Sequence, residues 1–416
     1  MRKKRGLLLF LLLLETLCVT YFIKIPEIIP IASLLYMVSG LAIAFFLLYF
    51  PSLPPKIKLS WSSLKVVNIY QVSLLLFAAF VMYQLTLAWI MTSPLSYLDA
   101  DMIPIMQVMS RRFLNGDWTL VYKPIKEIWN GIQPIYLPGM WMPFIVSERL
   151  SFDPRWVTSF AVFLSFSMVI LIWQKHWQKV SGALILFISG ILCLWLYTDR
   201  GHNFIRLSEE GIVVFYYSLL ALALISENFL LIGVASALCM LSRYTIVGWL
   251  PVILLYLLFF RRSKRDILYF IVSFSATILL LVIIPFGIEP IRVALHQPEK
   301  YILHAQRIWQ ESPEFFTQSM GLAKFFGPNR VELQHNILIT LAFLAPLIML
   351  MILFFQKIKM NKYFYNIPLS TLKLTIVIVY NFIDVPYQYL FYTSSFVSLI
   401  AITWVSSEVM NGNKVE

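Results

Sequence analysis

Residues 66–91, VVNIYQVSLLLFAAFVMYQLTLAWIM, decide the fold class. The stretch holds no charged residue, and as a helix it is about 39 Å long, enough to cross a hydrocarbon layer of about 30 Å. It runs directly into residues 97–143, YLDADMIPIMQVMSRRFLNGDWTLVYKPIKEIWNGIQPIYLPGMWMP, where two carboxylates, Asp99 and Asp101, open a segment of mixed polarity. An apolar crossing that delivers acidic and aromatic residues to a membrane surface is the unit around which the chain is read.

Working outward, runs of this kind recur from end to end. Of 416 residues, 60% are hydrophobic and 13% charged, a composition a soluble core does not accommodate. The apolar segments do not alternate over short strands, which excludes a β-barrel. The fold class expected is an all-α polytopic membrane protein with one membrane domain over 1–416. Spans are expected at about 7–23, 31–50, 66–91, 156–173, 180–197, 211–226, 229–242, 245–260, 266–286, 336–355, 366–382 and 388–406, twelve in all. The first span carries basic residues ahead of it and lacks a small-x-small cleavage site, so it reads as retained rather than as a signal peptide.

Basic residues set the orientation. Arg2, Lys3, Lys4 and Arg5 anchor the N-terminus in the cytoplasm, as do Lys56, Lys58 and Lys65 for the Pro-rich linker, Arg261, Arg262, Lys264 and Arg265, and Lys357, Lys359 and Lys362. Two long loops, 92–155 and 287–335, and a short charged loop at 198–210 then converge on the exoplasmic face. The net charge of +12 belongs to this anchoring and to anionic lipid headgroups. No basic run is interleaved with aromatics, so nucleic acid is not an expected partner.

Cys18, Cys193 and Cys239 fall in separate spans, without the spacing of a zinc site or a disulfide framework. There is no phosphate-binding Gly-rich loop and no soluble domain to hold a nucleotide. No cofactor is expected, and metal binding finds no support in the residue spacing.

Several residues carry chemistry beside a plainer reading. Asp99 and Asp101 are either a solvated helix end or, partly desolvated by Trp and Tyr neighbours, bases of raised pKa. The 198–210 loop offers Arg200 and Arg206 as phosphate ligands and His202 and Glu209 as substrate ligands. Glu209 and Glu210 also suit the positive end of the helix they open. Arg243, flanked by apolar helix, is either an interface anchor or a phosphate ligand. His296, Lys300, His304 and Arg307 share one helical face, suited to gripping a phosphate or to lying over anionic lipid. A helix is expected over Ile103–Leu114 in the interface, closed by Asn115-Gly116. Trp118, Tyr122, Tyr136 and Trp141 suit either a sugar site or an interfacial belt.

The spacing of Asp101, Gly116, Asp117 and Trp118 resembles the first-loop signature of the bacterial protein-mannosyltransferase-like and aminoarabinose-transferase-like families, in which an acidic residue precedes Gly-Asp-Trp by about fifteen positions. Lys123-Pro124 and the turn Tyr136-Leu137-Pro138-Gly139 are similar to what those families place before their next span. The motif covers some 45 residues, and the hydropathy layout resembles the wider GT-C superfamily over most of the chain. Met102 stands where the signature has Glu, and two spans precede the one that carries the motif. The resemblance implies an inverting glycosyltransferase of the cytoplasmic membrane. It would move a sugar, mannose among the candidates, from a polyprenyl-phosphate donor to a lipid or glycan acceptor on the outer face. Asp101 would then be the base, with Asp99 second, and Arg243, Arg200, Arg206, Lys300, His304 and Arg307 would hold the donor phosphate. Two other classes stand beside it: a transporter or flippase of lipid-linked sugars, for which internal repeats would speak, and an O-antigen polymerase or ligase, which relies on Arg and His.

Overall fold

The protein is represented by a computed structural model that describes residues 2–50, 69–129, 131–172, 180–199, 204–295, 297–360 and 366–408. Among the described residues there are helices and turns and no strand, with one isolated bridge between Ile125 and Ile132. Eight helices are long and apolar enough to cross a membrane: α1 (Lys4–Lys24), α2 (Pro26–Leu47), α3 (Ile69–Thr92), α5 (Arg155–Ile172), α6 (Ser181–Thr198), α10 (Lys264–Phe286), α12 (Pro328–Gln356) and α14 (Gln388–Ser406). Four apolar helices are shorter: α7 (Glu210–Ile225), α8 (Phe229–Met240), α9 (Leu250–Arg261) and α13 (Ile367–Phe382). Two amphipathic helices, α4 (Met102–Leu114) and α11 (Gln297–Glu311), lie in the long connections. The Pro-rich linker and Lys362, which the expected orientation used as anchors, lie outside the described residues.

Burial sorts the helices into an interior and a wall. In α14, 94% of the apolar window is covered by protein, against 6% in α3 and 11% in α10. The buried helix carries Thr393, Ser394, Ser395, Ser398 and Thr403, side chains small enough for close approach and able to bond across helices where no water competes. It packs against α7, α1 and α13. The exposed apolar faces of α3 and α10 suit hydrocarbon, where a helix satisfies its own backbone and needs no polar neighbour.

The interior also holds charge that the apolar reading of spans 7–23 and 366–382 did not anticipate. Lys373 Nζ lies 2.6 Å from Glu15 Oε1, and neither side chain is exposed. Ser394 and Ser398 hydroxyls donate to the same carboxylate, at 3.1 and 2.7 Å, and the Ser394 carbonyl accepts from Lys373 at 3.0 Å. Every polar group in this knot is used, which is the condition for burying a charge pair at tolerable cost. The knot ties α1, α13 and α14 together.

Candidate functional site

The turn that carries Asp99 and Asp101 is held from below. Helix α3 ends at Thr92, and its last carbonyls are gathered by Arg155 at the start of α5. That buried guanidinium donates to Ser93 O at 2.6 Å and Trp89 O at 3.3 Å, and pairs with Asp153 at 2.6 Å. A cation at a helix C-terminus both satisfies carbonyls and meets the negative end of the dipole. The chain then turns through Ser96 to Ala100 and enters α4 at Asp101.

Asp101 precedes α4, yet its carboxylate does not cap the helix. The Trp129 ring lies within its reach, and burial pushes its pKa above the ordinary aspartate value, since the charged form loses water. Asp99, two residues earlier, is exposed. The structure thus separates the two carboxylates that the sequence left as alternatives. Trp129 was not singled out from the sequence; it adopts a left-handed backbone at φ 48° and packs edge-on against Tyr97.

Asp101 does not stand alone. Its charge reaches Glu209, which opens α7, and Tyr136 and Tyr387. Glu209 is fully buried; burial raises its pKa and Arg243 works against that rise. The Arg243 guanidinium reaches Glu210 Oε2 at 2.7 and 3.1 Å and Glu209 Oε1 at 3.1 Å. Tyr136 is half-buried among Glu209, Asp101, Tyr389 and Arg243, and Tyr301 of α11 lies in reach of Arg243, Asp384 and Glu209. Segments from both long loops, the 204–210 connection and the 383–387 turn therefore meet at one place.

Glycine lets the 136–139 turn sit there. A Cβ at Gly139 would stand 2.8 Å from Leu241 Cβ and 2.9 Å from the Leu241 carbonyl, and the Gly139 carbonyl accepts from Tyr216 at 3.0 Å. The turn thereby lies on the end of α8, two residues from Arg243.

The other expected residues scatter. Arg206 donates to Ser93 Oγ at 3.4 Å, lies over the Trp89 ring, and lines a small cavity with Asp99, Ser96 and Ala100. His304 is half-buried, with Nε2 3.3 Å from Tyr387 Oη; burial and then Arg307 lower its pKa, so it is neutral near pH 7. Lys300 and Arg307 are exposed, and Arg307 faces Glu311 at 3.6 Å, so of this basic face it is His304, through Tyr387, that meets the Asp101 neighbourhood. Trp118 is 47% exposed and stacks on Phe113, in an aromatic group with Trp141, Tyr122 and Phe286. Phe113 is twelve residues along α4 from Asp101, about 18 Å at 1.5 Å per residue, so Trp118 lies far from the carboxylate. Arg200, His202 and His296 lie outside the described residues.

The pairing of Arg243 with Glu209 and Glu210 is the feature sequence reasoning missed. The signal was present: an arginine within apolar sequence needs a counter-ion, and two carboxylates open α7 on the face to which Arg243 was assigned. No group of three or more metal-ligating side chains occurs among the described residues. No protein-family model matches the chain, and neither a curated protein nor a solved structure matches it.

Proposed function

We propose that this chain is an inverting glycosyltransferase of the GT-C kind, with twelve spans in the cytoplasmic membrane and its working face exoplasmic. It takes a sugar, mannose first among those to test, from a polyprenyl-phosphate donor to a lipid or glycan acceptor. The observation that carries this reading is Asp101: a half-buried carboxylate of raised pKa, with no capping duty, beside Glu209, Arg243, Tyr136 and Tyr387. A base for a sugar hydroxyl needs such a poised proton acceptor.

In the reaction, Asp101 takes the acceptor hydroxyl proton as that oxygen attacks the anomeric carbon. The bond from that carbon to the phosphate oxygen breaks, and polyprenyl phosphate leaves with the electron pair. The tyrosines around Asp101 present ring faces and hydroxyls of the sort that line sugar sites. Glu209, Glu210 and Arg243 hold the loops together around it.

The test is sugar transfer in membranes from a panel of polyprenyl-phosphate sugars. Asp101→Asn abolishes transfer while Asp99→Asn retains most of it; near wild-type turnover in Asp101→Asn removes Asp101 from the role.

One observation favours a transporter of lipid-linked sugars as the second reading. The Glu15–Lys373 pair is buried inside the apolar helices, where ionisable groups often mark transport paths. Movement of a fluorescent polyprenyl-phosphate sugar across proteoliposomes without acceptor, unaffected by Asp101→Asn, selects that reading.

A further inference from the structure

The reading above requires a group that holds the donor's phosphate, and Arg243, the expected ligand nearest Asp101, is otherwise engaged. Arg243 is held by two buried carboxylates, so its donors are already directed at Glu209 and Glu210. Arg307 and Lys300 are exposed on α11, and His304 is neutral and bonded to Tyr387.

A different pair lies next to this neighbourhood. His335 Nδ1 is 2.7 Å from Asp384 Oδ2, joining the beginning of α12 to the 383–387 turn. Gln334 fixes the same turn by donating to Phe382 O at 3.1 Å and Ile383 O at 2.7 Å. His335 is 8% exposed and Asp384 5%. Among the described residues, His335 Nε2 and Asp384 Oδ1 are buried without a hydrogen-bond partner. Buried polar atoms are nearly always bonded, so an open nitrogen and an open oxygen on one oriented pair mark a place for a ligand with both an anionic acceptor and a hydroxyl. Tyr301 connects the pair to the Asp101 neighbourhood, lying in reach of Asp384, Arg243 and Glu209. Val331 and Val385 flank the pair and belong to an apolar cluster with Ala305, Phe316 and Ala323, a dry wall in which a charge-assisted bond is strong.

We propose that the His335–Asp384 pair binds the phosphate of the lipid-linked donor, with Asp384 orienting the ring through Nδ1 and Nε2–H donating to a phosphate oxygen. The imidazolium donates from both nitrogens at once. Asp384 Oδ1 accepts from a hydroxyl of the attached sugar. This inference rests on the glycosyltransferase reading, and it assigns the phosphate to a pair which that reading leaves unused.

The experiment uses the full chain in detergent and undecaprenyl phosphate as probe, with undecaprenol, phosphatidylglycerol and inorganic phosphate in parallel. Wild type binds undecaprenyl phosphate in preference to the other three. His335→Gln weakens binding by about tenfold or more, the loss of one charge-assisted hydrogen bond. His335→Lys, which keeps a cation there, recovers most of it. In wild-type protein with isotope-labelled histidine, undecaprenyl phosphate shifts the His335 ring signals, a readout independent of how the variants fold. Equal binding by His335→Gln or unmoved His335 signals overturns the assignment. Equal binding of phosphatidylglycerol makes the pair a headgroup site and overturns it too. Wild type that binds no undecaprenyl phosphate overturns the glycosyltransferase reading itself, and this assignment with it.

Discussion

Lys373 Nζ lies 2.6 Å from Glu15 Oε1, with both side chains fully enclosed by the helices α1, α13 and α14. Removing one partner strands the other charge in a medium that cannot solvate it. Glu15→Leu or Lys373→Met alone is therefore expected to cost about 3–5 kcal/mol, whereas the double variant, with apolar groups of similar volume, costs far less. Thermal unfolding of the detergent-solubilised protein reads both. Equal losses in the single and double variants would show that the pair contributes by packing rather than by charge.

If Asp101 is the base, as proposed, the acid limb of activity reports its ionisation. Its folded-state pKa is raised by burial, so the base is lost as pH falls through a value above the ordinary aspartate pKa of about 3.9. The kcat/KM profile should keep this limb in Asp99→Asn, whose parent side chain is exposed. A profile that bends only near pH 4, as for a free aspartate, excludes Asp101 as the base.

The same shift has a consequence for stability. A carboxylate whose folded pKa exceeds its unfolded one contributes stability below the unfolded value of about 3.9, and that contribution is lost as pH rises through the folded value. At pH 7 the ionised Asp101 thus weighs against folding. Asp101→Asn, a neutral side chain of the same shape, should raise the melting temperature at pH 7 and lose this gain below about pH 4. Melting curves at the two pH values test it, and Asp99→Asn is the control expected to move neither.

The helical, membrane-spanning character was legible because hydropathy over eighteen or more residues is a local property, and α3 shows it without a single charge. The position of Asp101 just past the end of one span was legible for the same reason. What was not legible depends on pairs far apart in sequence. Arg243 meets Glu209 and Glu210, 34 and 33 residues away, and Glu15 meets Lys373 across 358 residues. Trp118 misled because proximity in a motif is not proximity in space: α4 is a rigid rod, and it carries Trp118 and Asp101 to opposite ends. His335 and Asp384 drew no attention as singletons, and only the packing of α12 on the 383–387 turn makes them a pair.

Tyr136 reaches the Asp101 neighbourhood because Gly139 lies flat on Leu241. A methyl group at Gly139 meets backbone atoms at 2.9 Å, which cannot yield as a flexible side chain does. Gly139→Ala should cost about 1–3 kcal/mol as the turn lifts away, with activity falling more than stability because Tyr136 moves with it. Unchanged activity at reduced stability would place Tyr136 outside the substrate contacts.

Arg243 is the counter-ion of two adjacent buried carboxylates, Glu209 and Glu210. Arg243→Gln leaves Glu209 and Glu210, both fully buried, adjacent and without a counter-ion, and is expected to cost about 3–5 kcal/mol. Arg243→Lys is the sharper probe. A lysine keeps the charge but not the planar fork that reaches both carboxylates at once, so part of the stability returns while the geometry does not. Pairing Arg243→Gln with Glu210→Gln removes one negative charge with the positive one and should recover stability relative to the single variant, read from melting temperatures at pH 7. If the double variant melts no higher than Arg243→Gln alone, the ion pairs are not what holds Glu210 in place, and packing of α7 on α14 takes over that role.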